Sequence, residues 1–159
     1  MIPGKILAFL HDRGAVAVSG TRDANLIPRI QYVSGWQVES DSLTIRCSIP
    51  ETDIDNLIGC LKDNGQLALT IEQIGSHETY QFKGNYISST PPNSEDLAAH
   101  QRIKNRFAKL ASQTFGLPEH IGLAFVPRPT LVVRFRVREI FEQTPGPGAG
   151  HRLFPPEEK

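Results

Sequence analysis

Several residues in this chain have types and spacings that could do chemistry. Gln81 and Lys83 lie two apart in Thr79-Tyr80-Gln81-Phe82-Lys83-Gly84, so on a strand they share one face while Tyr80 and Phe82 take the other. On that face the Gln81 amide can read the polar edge of a ring ligand, and Lys83 can meet a phosphate as a point charge. Gly84 would let a backbone or ligand come close. The plainer alternative is the solvated side of an ordinary strand. Arg29 and Arg46 are single cations inside strand-like segments; a guanidinium there could clamp a phosphate through two parallel bonds, or lie along the surface with its stem packed. Arg22 falls in a turn and reads as structural or solvated. Arg134, Arg136 and Arg138 alternate with Phe135 and Val137, which projects three cations from one strand face at roughly 7 Å intervals. Such a row could meet a polyanion, but pairing with acidic side chains is the expectation, because no aromatic residue joins the row to stack on bases. No nucleic-acid partner is expected.

Other chemistries are not signalled. His11, His77, His100, His120 and His151 are scattered, with no i,i+4 pair and no neighbouring Cys, so no metal site is expected. Cys47 and Cys60 have no adjacent base and read as small apolar groups in reduced form. Lys plus Arg number 17 and Asp plus Glu number 17, which leaves no overall field to draw the chain to nucleic acid or membrane. Hydrophobic residues make up 39% and charged residues 21% of the 159 positions, an ordinary globular balance that fits one domain. There is no run of about 20 apolar residues and no basic start or cleavage signature at the N-terminus. The sequence therefore predicts a cytoplasmic protein with no membrane partner.

The elements that must position these residues follow from periodicity and punctuation. A short helix is predicted over 4–13, with Gly14 at its end. Strands follow over 15–20, 27–38 (bent near Gly35) and 43–49, where Leu43, Ile45, Cys47 and Ile49 alternate with polar residues. Pro50 and the acidic Glu51-Thr52-Asp53 favour a helix start, and Ile54, Leu57, Ile58 and Leu61 repeat at helical spacing up to Asn64-Gly65. Strands over 66–74 and 79–88 flank a Gly75-Ser76-His77 turn. A longer helix is predicted over 94–115, stopped by Gly116 and Pro118, and a last strand over 130–142. The tail from Pro145, rich in Pro and Gly, is expected to lack regular structure unless a partner pins it. Thus residues 1–144 form one unit and 145–159 a tail. Hairpin connections and the absence of a βαβ rhythm predict a mainly β class: a six-stranded antiparallel barrel with inserted helices.

This order of segments resembles the pyridoxamine 5'-phosphate oxidase-related FMN-binding split barrels. The likeness is carried by Val16-Ala17-Val18-Ser19-Gly20-Thr21-Arg22-Asp23-Ala24 with Pro28 after it, by Leu43-Thr44-Ile45 leading through Pro50 into a helix and on to Leu67-Ala68-Leu69, and by the Gln81-x-Lys83-Gly84 strand. The resemblance implies a homodimer of side-by-side barrels with flavin mononucleotide (FMN) in grooves at the interface, and a flavin-dependent oxidoreductase acting on an unidentified small molecule. It places Arg29, Ile30, Gln31 and Tyr32 on the ring-facing part of strand two, and Arg46, Cys47 and Ser48 on that of strand three, with Gln81 and Lys83 completing the set. One departure stands out. Where relatives place a basic grip on the phosphate just after strand three, this chain reads Pro50-Glu51-Thr52-Asp53, whose carboxylates would repel a dianion, although Arg22, Arg46 or Lys83 could supply the charge. Two alternatives therefore stand beside FMN chemistry: a dimeric binding module that has lost its flavin, and a haem-handling relative.

Overall fold

The computed structural model describes residues 1–12, 14–50 and 54–155. Glu51, Thr52 and Asp53, on which the phosphate-grip departure turns, lie outside the described residues. The elements run α1 (Gly4–His11), β1 (Ala15–Arg22), β2 (Pro28–Val33), β3 (Gly35–Val38), β4 (Thr44–Pro50), α2 (Ile54–Asn64), β5 (Gln66–Gln73), β6 (Thr79–Thr90), α3 (Ser94–Phe115), α4 (Glu119–Ala124), β7 (Pro129–Glu142) and β8 (Arg152–Phe154).

All strand pairings are antiparallel, in the order β2-β1-β5-β6-β7-β4-β3, with β8 added to β7. The sheet is curled. Its two ends in that order are consecutive in the chain, β2 and β3, and a single residue, Ser34, parts them. Ser34 N–H donates to the Ser48 carbonyl at 2.8 Å and its Oγ to the same oxygen at 3.3 Å. The segment read as one strand over 27–38 is thus two, the first half paired to β1 and the second to β4. The bend falls at Ser34 rather than at Gly35, where the backbone of α3 comes close: a Cβ on Gly35 would sit 3.4 Å from His100 Cα.

Alternation fills the interior. Tyr80, Phe82, Ile45, Ile49, Leu69, Ile71, Phe135 and Ile140 are all essentially sealed from solvent. The leading helix closes one side of this core: Phe9 meets Tyr80 edge-on at 4.8 Å, and Trp36 Nε1 donates to the Leu10 carbonyl at 3.0 Å. Large aromatic side chains contribute most per residue here, about 1.5–3 kcal/mol each on burial.

The longest helix, α3, has a strong start and stop. Asn93 and Asp96 exchange side chain-to-backbone bonds in a capping box, and Gly116 ends it in the left-handed conformation at φ 68°. Two further parts of the fold differ from the sequence expectation, and with the divided strand and the tail strand the described residues form eight strands where six were expected. The short helix α4 follows Pro118 in a segment whose periodicity marks no element. In the tail, the Pro145–Gly150 run forms turns that bring the chain back, with Gly150 N–H bonded to the Glu142 carbonyl at 2.7 Å, and Arg152–Phe154 then pairs with β7. No helix is long and apolar enough to cross a membrane, among the described residues.

Candidate functional site

The outer face of the sheet holds a groove of about 590 Å³, built where β1, β2, β5, β6 and β7 lie side by side. Its floor carries the polar side of β6. Gln81 and Lys83 project outward as Tyr80 and Phe82 point into the core. One amide N–H of Gln81 donates to Thr70 Oγ1 at 3.2 Å, which fixes the side chain over β5. The Lys83 ammonium lies 4.4 Å from the Phe141 ring centroid, an attraction that holds its stem along the strand. Pro28 and the exposed Ile30 form an apolar wall, and Ala68 and Gly20 keep the floor low.

The groove is cationic. Arg22, Lys83 and Arg138 line it against one carboxylate, Glu139. Arg22 is partly engaged, bonding the Asp23 carbonyl at 3.1 Å and lying 3.9 Å from Asp63. Arg138 has no ion-pair partner among the described residues. Its place depends on a β-bulge: Lys83 pairs with Glu139 and Gly84 with Val137, so Arg138 is the extra residue on β7. Between buried Val137 and buried Ile140, both Arg138 and Glu139 therefore face outward. Gly84 serves the same bulge. A Cβ there would stand 2.1 Å from the Arg136 carbonyl oxygen, so the close approach that this glycine permits is that of β7's own backbone.

The other residues singled out from the sequence are not gathered with these. Of Arg29, Ile30, Gln31 and Tyr32, alternation sends Gln31 into the interior and Ile30 and Tyr32 outward; only Ile30 reaches the groove. Arg29 is held by Asp23 at 3.0 Å. Tyr32 lines a second cleft, of about 680 Å³, with Pro50, Phe125, Pro127 and Arg128, and burial raises its hydroxyl pKa. Cys47 is fully buried, which pushes its thiol far above the usual range, and Ser48 is buried beside Ser34. Arg46 is committed to a bidentate pair with Asp96, at 2.9 and 2.6 Å. Burial alone would raise the Asp96 pKa, but the bonds from Arg46, Asn93 and Gln37 outweigh it and hold the carboxyl below its ordinary value. The arginine row divides: Arg134 grips Glu39 at 2.6 and 2.7 Å and Arg136 reaches Asp41 at 3.2 Å, as charge balance suggested, while Arg138 joins the groove. A signal for this exists in the sequence. The alternation breaks at Val137-Arg138-Glu139-Ile140, where two polar residues stand between two apolar ones.

No family model and no curated protein matches the chain. Solved structures do. HupZ of Group A Streptococcus, in a form carrying V5 and polyhistidine tags, aligns over 94% of this chain and 100% of its own at 19% identity, with a TM-score of 0.56. An F420 reductase aligns over 83% of this chain and 93% of its own at 11% identity, TM-score 0.51. A Lactobacillus delbrueckii protein provisionally described as a pyridoxamine 5'-phosphate oxidase covers 89% and 93% at 13% identity, TM-score 0.50. The chain has the pyridoxamine 5'-phosphate oxidase-like split-barrel fold. In this split barrel the cationic groove occupies the outside of the curled sheet, and no cluster of three or more potential metal ligands is present among the described residues.

Proposed function

We propose that this split barrel binds FMN in the outer groove and acts as a flavin-dependent oxidoreductase on a small molecule, working as a homodimer whose second copy supplies the opposite wall. The observation that carries this reading is the groove itself: Lys83 and Arg138 on one side, the apolar wall of Pro28 and Ile30 with Arg22 beside it on the other, and an anchored amide between them, in a volume typical of small-molecule sites. Lys83 and Arg138 would hold the phosphate, taking over from the basic grip that the sequence lacks after β4. Gln81 would meet the polar edge of the ring, and Ile30 its apolar surface. When bound, the flavin supplies the hydride or electron chemistry; the protein binds, orients and shields it. Two structural neighbours bear the names of a reductase and an oxidase, which supports a redox role. Partnering by a second copy is supported by Val18 and Ile30, apolar side chains 42% and 65% exposed on adjoining strands of the same outer face.

Titrating purified protein with FMN, followed by absorbance and flavin fluorescence, tests the reading. Saturable uptake is expected, weakened about tenfold or more by K83A or R138A if each removes one charge-assisted phosphate contact. Protein that takes up no FMN overturns it, and a Soret band on haem titration under the same conditions would redirect it to haem.

A further inference from the structure

Glu139 is placed where it could disarm the groove. It is the direct cross-strand partner of Lys83, and opposite charges so placed normally pair. It also follows Arg138 in sequence, and the bulge turns both outward. Yet the Lys83 ammonium lies over Phe141 instead, and Arg138 is left without an acidic partner among the described residues. The carboxylate is drawn the other way: Glu139 Oε1 is 3.6 Å from Arg152 Nη1. Arg152 does not line the groove. It arrives from β8, the three-residue strand that the tail forms on the far side of β7, with Leu153 and Phe154 packed against the core to fix it there.

We infer that Arg152 is a positioning residue for the groove: by holding Glu139 on the tail side it leaves Lys83 and Arg138 free for an anionic group, so the C-terminal strand sets the charge of a site it does not enter. This rests on the FMN reading for the identity of the ligand, but not for the class of chemistry, which is a phosphate or other compact dianion.

The test compares wild type, R152Q, E139Q and the R152Q/E139Q double variant in binding FMN, riboflavin (the same ring without phosphate) and inorganic pyrophosphate. Loss of Arg152 should release Glu139 toward Lys83 and Arg138, weakening FMN and pyrophosphate about fivefold, the scale of one exposed ion pair, with riboflavin unmoved. Adding E139Q should restore both anions. Equal losses for FMN and riboflavin, or no rescue by E139Q, would show that β8 is merely structural and overturn the inference. Should R152Q fail to fold, R152M, which keeps an apolar stem of similar length, takes its place with and without E139Q, and the same two outcomes decide: anion-selective loss rescued by E139Q supports the inference, and unselective or unrescued loss overturns it. If wild type binds pyrophosphate but neither flavin, the proposed function falls while the pyrophosphate arm still decides this inference; if it binds none of the three, both fall.

Discussion

An added methyl group on Gly84 would meet the Arg136 carbonyl oxygen at 2.1 Å and its carbon at 2.7 Å. Backbone cannot yield as a flexible side chain would, so G84A should destabilise the fold by roughly 2–3 kcal/mol or more, read as a lowered urea midpoint. Asp41 makes a pH-dependent contribution. Its carboxylate accepts from the Leu43 and Thr44 amides at 2.9 and 2.8 Å and from Thr44 Oγ1 at 2.7 Å, and these bonds lower its pKa from 3.8 to about 2. A folded-state pKa below the unfolded one means stability that is in place above about pH 3.8 and is lost as pH falls toward 2. The side chain is 39% exposed, so screening should keep the effect under about 1 kcal/mol. Acid unfolding monitored by circular dichroism should show D41N weakening less than wild type over that window, the remaining loss coming from carboxylates such as Asp96 that are also held below their ordinary pKa.

Among the elements, α3 is tied to the sheet by Asp96. This residue closes the capping box with Asn93, pairs with Arg46 and accepts a bond from Gln37 at 3.1 Å. Its side chain is 1% exposed. Removing the carboxylate in D96A leaves a mostly enclosed Arg46 without its main partner and should cost roughly 3 kcal/mol in chemical denaturation, with D96N less harmful because the amide can still cap. The same clamp separates what a sequence can reveal from what it cannot. The Asn93-x-x-Asp96 spacing and Gly116 mark the helix ends locally, so α3 is legible. So are the alternating strands, and hence the outward placing of Gln81 and Lys83. What local pattern does not provide is pairing between distant segments. That Arg46 finds Asp96 rather than a ligand, or that β2 breaks at Ser34, depends on which strands become neighbours. The ordered tail is hidden for the same reason: Pro145–Gly150 lacks helical or strand propensity, but its turns aim Arg152–Phe154 at β7, whose free edge is not visible in the tail's own composition. Arg138 lies between these cases, signalled only by a break in alternation.

For the molecule as a whole, the proposed homodimer is the part of the functional reading most open to test. Val18 and Ile30 lie on adjoining strands beside the groove, so I30K should shift the protein toward monomer in light scattering and weaken FMN uptake together with it. A dimer that persists with full flavin affinity would place the second wall elsewhere. The curled sheet accounts for why the groove and core are built jointly: along each strand, side chains that face the groove alternate with neighbours that fill the interior, so substitutions in one layer shift the other.

The meeting of the two sheet ends at Ser34 also has a kinetic side. β3 pairs with β4 across a short turn, but β4 in turn pairs with β7, Thr44 with Arg136 and Pro50 with Pro129, so the curl of the sheet is complete only when segments far apart in the chain have met. Such remote pairings slow the search, and refolding in roughly milliseconds to seconds is the expected regime. Stopped-flow tryptophan emission would follow it through Trp36, the chain's single tryptophan, which is buried and bonded to the Leu10 carbonyl and so reports the closing of the interior against the leading helix.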